Sequence, residues 1–223
     1  MFKAGIQYLN VMDKQAVNES IFNESLEIRI AEADDIFNDD KDIHIKGAVW
    51  NPVKDGDITD DVFERLSKAG CIYVVLETKG IKDGGQLMKL LDNSMDKIKI
   101  YGMTLLIENS NVEKNEVYIY GPFSEGRKLC AIVSDIRSRY NYDNVGICAD
   151  IGVSNLLGSN LKAFIEDCMS CLVLVHVNDN DGAEDVAQMP FTFTVGRGTR
   201  ATDIYRVIGM LIKYDFSGFI VFN

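Results

Sequence analysis

Eight short apolar runs recur along the chain, and their spacing constrains the fold more than any other feature. They are residues 2–9, 26–32, 42–50, 71–77, 103–108, 145–150, 171–177 and 218–223. Several runs, such as IYVVL within 71–77 and LVLV within 171–177, are continuous rather than alternating. Continuous runs of this length are typical of strands that are buried on both faces, as in a parallel sheet.

The segments between the runs are mostly helical. In residues 202–214 the apolar side chains of Ile204, Val207 and Leu211 follow helical spacing, and Thr202 is the predicted N-cap. Residues 126–140 and 59–70 show the same period. Strand–helix alternation repeated eight times predicts a (β/α)8 TIM barrel that occupies residues 1–223 as one domain. The alternative, a doubly wound open sheet, more often has about five or six strands.

Two of the eight units depart from the regular pattern. Only the segment EADDIFNDDKD separates the second run from the third, which predicts a shortened second helix. The sequence stops on the eighth run, which predicts a compact barrel that lacks the last helix. Because an uncovered apolar sheet face is unfavourable, we expect a second copy to cover it in a homo-oligomer such as a dimer.

Composition narrows the classes of partner. The chain has 34 acidic and 23 basic residues, a formal net charge of −11, which disfavours binding to nucleic acid or to anionic membranes. No apolar stretch reaches about 18 residues, and the N-terminus lacks the pattern of a signal peptide. The 5 cysteines fit reduced, buried thiols, and Cys168 and Cys171 have no second pair to complete a zinc or redox motif. We therefore predict a cytoplasmic protein.

Polar side chains stand at the ends of the central runs. Glu77, Glu108, Asp150 and His176 end or nearly end the fourth to seventh runs, and Asn178 follows shortly after. In a TIM barrel these strand ends converge on one mouth, where active sites are built. Carboxylate oxygens and an imidazole suit Mn²⁺, Mg²⁺, Co²⁺ or Zn²⁺. The sequence therefore predicts a divalent metal site, with Asn178 and Glu77 in contact with the substrate.

Five motifs, in order, resemble the strand-end motifs of the xylose-isomerase-like TIM barrels. They are TLLIEN (104–109), GICADIG (146–152), VHVNDNDGAED (175–185), GRGT (196–199) and GFIVFN (218–223). That superfamily includes sugar and sugar-phosphate isomerases and epimerases, and the endonuclease IV branch. The resemblance implies metal ligands at Glu108, Asp150 and His176, with Asp185 as the further ligand found in the endonuclease branch.

Three positions depart from the family pattern. Val153 stands where the family has a histidine in Asp-x-Gly-His, Ala187 stands where the endonuclease branch has a histidine after Asp185, and Asn223 replaces the glutamate of the eighth strand. In the family's epimerases two glutamates exchange the proton next to the carbonyl while a metal holds the substrate oxygens. Glu108 retains one base, but Asn223 cannot take up a proton and remains at most a weak ligand.

Three further residues have competing interpretations. Arg197 in GRGT is either an anchor for a sugar hydroxyl or phosphate, or part of an ordinary glycine-rich turn. Trp50 is either an apolar wall for a sugar ring or a packing residue. For Glu77, the alternative to a substrate contact is an internal ion pair with Lys46 or Lys79.

Together these features predict a metal-dependent sugar or sugar-phosphate isomerase/epimerase-like protein that acts by proton transfer next to a carbonyl. The alternative is a catalytically inactive TIM-barrel remnant that has lost the metal and binds a carbohydrate or a protein. An abasic-site nuclease is disfavoured, because that branch needs many histidines and the chain has 2. The sequence leaves open whether the protein is an enzyme, and which sugar and which metal it binds.

Overall fold

The computed structural model describes residues 3–6, 27–33, 43–186, 188–193 and 200–222, and within them a strand overlaps each of the eight apolar runs. A two-stranded hairpin lies between the fifth and sixth of these strands. The strands are β1 Lys3–Ile6, β2 Glu27–Ala33, β3 Ile43–Trp50, β4 Tyr73–Glu77, β5 Thr104–Glu108, β6 Asn111–Lys114, β7 Val117–Tyr120, β8 Val145–Asp150, β9 Leu172–Val177 and β10 Phe219–Phe222.

The eight strands other than β6 and β7 form one sheet in the order β1-β10-β9-β8-β5-β4-β3-β2. Every neighbouring pair from β1 through to β3 is parallel. The end strands β1 and β2 approach each other, with Cα atoms within 8 Å. The sheet therefore curls round on itself, as the predicted TIM-barrel architecture requires.

The strand β2 departs from the uniform alternation that the sequence predicted. It runs antiparallel to β3, with Glu27 opposite Val49 and Ala33 opposite Ile43. A parallel crossover needs about a dozen residues or more, whereas only residues 34–42 separate the two strands, and antiparallel neighbours accept such a short connection. The predicted short second helix falls on these residues, which lie outside the described ranges.

Helices cover one face of the sheet. They are α1 Pro52–Asp55, α2 Asp60–Lys68, α3 Gly84–Asp92, α4 Met95–Ile100, α5 Gly126–Tyr140, α6 Ile151–Leu156, α7 Leu161–Cys168 and α8 Ile204–Lys213. The predicted N-cap of α8 is wrong by one residue: the side chain of Asp203, not of Thr202, accepts a hydrogen bond from the backbone N–H of Arg206 at 3.1 Å. The backbone N–H of Thr202 instead donates to Asp179 Oδ1 at 3.1 Å.

The hairpin β6–β7 is a feature that the sequence patterns did not predict. Asn115 and Glu116 connect its strands with positive φ angles of 52° and 61°, as a two-residue type I′ turn requires. The hydroxyl of Tyr118 accepts a hydrogen bond from the backbone N–H of Asp185 at 3.2 Å, and Tyr120 Oη lies 2.8 Å from Ser159 Oγ. The hairpin therefore contacts the turn between α6 and α7 and the loop that follows β9.

Side chains on the two faces of the sheet form two separate apolar clusters. A large outer cluster fills the space between sheet and helices and includes Trp50. A smaller inner cluster lies on the opposite face, with its buried members drawn from β3, β4, β5, β8, β9 and β10. The inner cluster consists of Val49, Val75, Leu106, Cys148, Leu174, Phe219 and Val221. No helix in the described part of the chain is both long enough and apolar enough to cross a membrane.

Candidate active site

Three predicted site residues stand directly above the inner cluster. Glu108, Asp150 and His176 lie at or near the C-terminal ends of β5, β8 and β9, each two residues after a member of the inner cluster. Because side chains alternate along a strand, residues two apart share a face, so all three point to the inner side of the sheet. The structure thus brings these three residues together at the mouth.

Glu108 and His176 are in direct contact. His176 Nδ1 lies 2.6 Å from Glu108 Oε1, and both side chains are buried, with exposed fractions of 0% and 5%. The two atoms share one proton in a hydrogen bond whose direction follows the tautomer of the imidazole. The other ring nitrogen, Nε2, is buried and has no hydrogen-bond partner among the described residues. The imidazole is therefore held from the Nδ1 side.

Asp150 is held in place by two kinds of donor. Its Oδ1 accepts from the backbone N–H of Val153 at 3.0 Å, which caps α6, and Asn178 Nδ2 lies 3.2 Å from both carboxylate oxygens. Burial raises the pKa of Asp150, and the nearby charge of Glu108 raises it further. His176 and the hydrogen bonds act in the opposite direction. Two adjacent buried carboxyl groups therefore create a site that a cation would stabilise.

Two residues that support this arrangement were not predicted to do so, although both belong to the quoted motifs. Asn109 clamps the backbone of Asp150: its Oδ1 accepts from Asp150 N at 2.6 Å and its Nδ2 donates to Asp150 O at 2.9 Å. Gly152 makes room for Asn178, because a Cβ at this position would lie 1.6 Å from Asn178 Oδ1. These contacts join β5, α6 and the end of β9 into one unit.

The thiol of Cys148 also belongs to the site. Its Sγ lies 3.6 Å from Glu108 Oε1 and 3.5 Å from His176 Nδ1. In the described part of the chain, these three residues form the one set of potential metal ligands whose ligand atoms all lie within 4.8 Å of one another. The sequence pattern predicts only a reduced, buried thiol at this position. The available signal was its position two residues before Asp150, on the same face of β8.

Glu77 and Asp185 lie around this cluster. Strand register places Glu77 beside Glu108, and Glu77 Oε2 accepts a hydrogen bond from Asn51 Nδ2 at 3.1 Å. Lys79, one predicted ion-pair partner of Glu77, instead places Nζ 3.0 Å from Asp185 Oδ2. Asp185 is exposed and is not part of the three-residue set.

The remaining predicted residues are Trp50, Arg197 and Asn223. Trp50 is 1% exposed within the outer cluster, and its Nε1 donates to the carbonyl of Gly56 at 2.7 Å, in line with the packing interpretation. Arg197 and Asn223 lie outside the described residues.

The donor set fits a divalent metal ion. A carboxylate, an imidazole and a thiol converge at one point, and the carboxylate of Asp150 lies near enough for the charges of Glu108 and His176 to act on it. These are the ligand types that bind Zn²⁺ and related ions. Glu108, Cys148 and His176 would hold such an ion, with Asp150 beside it.

Neither a family model nor a curated protein sequence matches the chain. Solved structures do match. A D-tagatose 3-epimerase-like protein gives a TM-score of 0.50 at 21% identity, over 73% of this chain and 59% of that one. A D-psicose 3-epimerase crystallised in the presence of D-fructose gives a TM-score of 0.53 at 14% identity, over 73% of this chain and 53% of that one. A D-allulose 3-epimerase from Methylomonas sp. in complex with D-allulose gives a TM-score of 0.51 at 14% identity, over 73% of this chain and 52% of that one.

The chain therefore covers between 52% and 59% of the length of these three structures. At such low identity the likeness concerns the fold. The chain therefore shares the TIM-barrel fold of these three sugar 3-epimerase structures.

Proposed function

We propose that the protein is a metal-dependent isomerase/epimerase-like protein for a small sugar or sugar phosphate. The observation that carries the proposal is the meeting of Glu108, Asp150 and His176 at the mouth of a barrel whose solved neighbours include ketose 3-epimerases. In such a mouth, polar groups at the strand ends act on a substrate held by the loops. D-fructose and D-allulose, named with two of the neighbours, indicate the size of substrate to test.

The proposed chemistry begins with Glu108. This carboxylate would take the proton from the carbon next to the substrate carbonyl. In the metal-free protein His176, 2.6 Å away, orients it toward the centre of the mouth. When bound, a divalent ion supplies positive charge for the substrate oxygens. Glu77, half-buried beside Glu108, is placed to accept a hydrogen bond from a substrate hydroxyl.

The floor of the site is apolar, which favours this chemistry. Leu106, Leu174 and Val221 lie in the inner cluster beneath the polar residues and are buried. These apolar side chains offer water no hydrogen-bond partner, and charges interact more strongly where water is excluded. Glu108 therefore interacts with its neighbours in a low-dielectric setting.

A second candidate is an inactive barrel that binds a carbohydrate or a protein. The observation that favours it is that the site residues already form hydrogen bonds with one another. His176 contacts Glu108, and Asn178 contacts both oxygens of Asp150. Such a protein would keep the fold without turnover.

The experiment that separates the two candidates uses purified protein supplied with Mn²⁺, Co²⁺ or Zn²⁺ and a panel of ketoses. We expect metal uptake and turnover, and we expect Glu108→Gln to reduce turnover by about 100-fold or more, the usual contribution of a general base. Glu113→Gln, a matched change on the exposed face of β6, serves as the control. Metal uptake without turnover would favour the binding module, and no metal uptake would refute the metal-dependent proposal.

The proposed partner is a small carbohydrate rather than nucleic acid, since the net charge is −11. The cytoplasmic location and the homo-oligomer predicted from the sequence stay predictions. Light scattering on concentrated protein tests the homo-oligomer.

A further inference from the structure

We propose that Cys148 is a thiolate ligand of the metal, so that the site selects Zn²⁺ or Co²⁺ over Mg²⁺ and Mn²⁺. This inference rests on the metal site of the proposed function and identifies which ion it takes. The sulfur is buried, at 0% exposure, and belongs to the same three-residue set as Glu108 and His176.

The distances around the sulfur match those of a tetrahedral site. Bonds of about 2.3 Å to sulfur and about 2.0 Å to nitrogen or oxygen place the sulfur about 3.5 Å from each of the other two ligand atoms. The observed separations are 3.5 Å to His176 Nδ1 and 3.6 Å to Glu108 Oε1. The nitrogen–oxygen contact of 2.6 Å is a hydrogen bond that opens when an ion replaces the shared proton.

The position of Asp150 strengthens the case for the thiol. Its carboxylate is not part of the three-residue set, and its oxygens are engaged by Val153 and Asn178. Asn109 also holds its backbone from both sides. The thiol is therefore a nearer third ligand than this carboxylate, and the fourth position is left for Asp150, water or a substrate oxygen.

Ligand chemistry explains the expected choice of ion. Thiolates favour Zn²⁺ and other softer ions, whereas Mg²⁺ and Mn²⁺ favour sites built from oxygen. A coordinating thiol is deprotonated, so binding releases the thiol proton to solvent. As a ligand, His176 Nδ1 would carry a free electron pair, and the ring proton would sit on Nε2.

A catalytic triad is the other function that cysteine, histidine and a carboxylate suggest, and the geometry disfavours it. In a triad the nucleophile and the orienting carboxylate contact opposite nitrogens of the imidazole. Here both Cys148 Sγ and Glu108 Oε1 lie against the same atom, His176 Nδ1. A converging arrangement of this kind is that of ligands around one point.

The test is optical titration of the metal-free protein with Co²⁺. We expect a near-ultraviolet thiolate-to-cobalt charge-transfer band together with visible d–d bands. Cys148→Ser should abolish the near-ultraviolet band and weaken Zn²⁺ binding, measured by chelator competition, by more than about 100-fold, because loss of an outer partner already costs about 10- to 100-fold. Mn²⁺ affinity should change much less.

The control is the double variant Cys130→Ser/Cys171→Ser, which removes the two half-buried thiols and should retain the band. Visible bands without a near-ultraviolet band would overturn the inference and leave the proposed metal site intact. Absence of any Co²⁺ or Zn²⁺ binding would overturn both. If Cys148→Ser does not fold, X-ray absorption of the zinc-loaded wild-type protein decides: one sulfur neighbour supports the inference, and none refutes it.

Discussion

Replacing Gly152 with alanine should disrupt the site through a single steric contact. The new Cβ would lie 1.6 Å from Asn178 Oδ1 and 2.7 Å from Asn178 Cγ, so the amide has to move by roughly 2 Å to reach ordinary contact distance. A shift of this size breaks both 3.2 Å contacts between Asn178 and Asp150. Overpacking and the lost hydrogen bonds outweigh any gain in helix propensity. The free energy of unfolding should therefore fall by about 3 kcal/mol.

The matched control is Gly209→Ala in α8. Gly209 is exposed, and a Cβ there would meet no atom within 4 Å, so only helix propensity changes. We expect the free energy of unfolding of this variant to rise by up to about 1 kcal/mol. Equilibrium urea unfolding of the metal-free protein, with the free energy extrapolated to water, measures both values. Equal stability of the Gly152→Ala variant and the wild type would refute the packing between Gly152 and Asn178.

Three further predictions follow from individual contacts. Because the pKa of Asp150 is raised from 3.8, the folded protein keeps a proton that the unfolded chain loses. The free energy of unfolding of the metal-free protein should therefore fall as pH rises from about 3.8 to the folded pKa, and it should stay lower above that pKa. Asp150→Asn should gain stability over the wild type across that window in urea unfolding, and a pH-independent difference would contradict this. Trp50→Phe should lower the free energy of unfolding by about 1 kcal/mol or more, since it leaves the carbonyl of Gly56 without the indole donor; no change would contradict a structural role for that bond. Asp185→Asn should change the free energy of unfolding by less than about 1 kcal/mol, because this exposed carboxylate pairs with Lys79. Its Zn²⁺ affinity in chelator competition should equal that of the wild type, and a large loss of affinity would show that Asp185 is a ligand.

Much of the site could be predicted from the sequence, because parallel strands present their ends at one edge. Glu108, Asp150 and His176 each end or nearly end an apolar run, and the structure places them at the same mouth. Their two-residue spacing from apolar neighbours also fixes the face on which they lie. Strand periodicity is a local property, so local sequence reveals it.

Cys148 and Asn178 show where sequence patterns were insufficient. A cysteine within an apolar run has the same pattern whether it packs in a core or contacts a histidine on another strand. Asn178 was predicted to contact a substrate, yet its amide contacts Asp150 in the room that Gly152 leaves. Both outcomes depend on residues distant in sequence.

The sequence alone determined the strand–helix alternation, the inward position of the polar strand ends and the acidic character of the chain. Three features became visible only in the folded protein: β2 runs antiparallel to β3, Trp50 turns to the helix side of the sheet, and a thiol joins the carboxylate and the imidazole. The reason is physical: apolar periodicity records which residues leave water, whereas strand direction and side-chain partners depend on contacts between segments far apart in the chain.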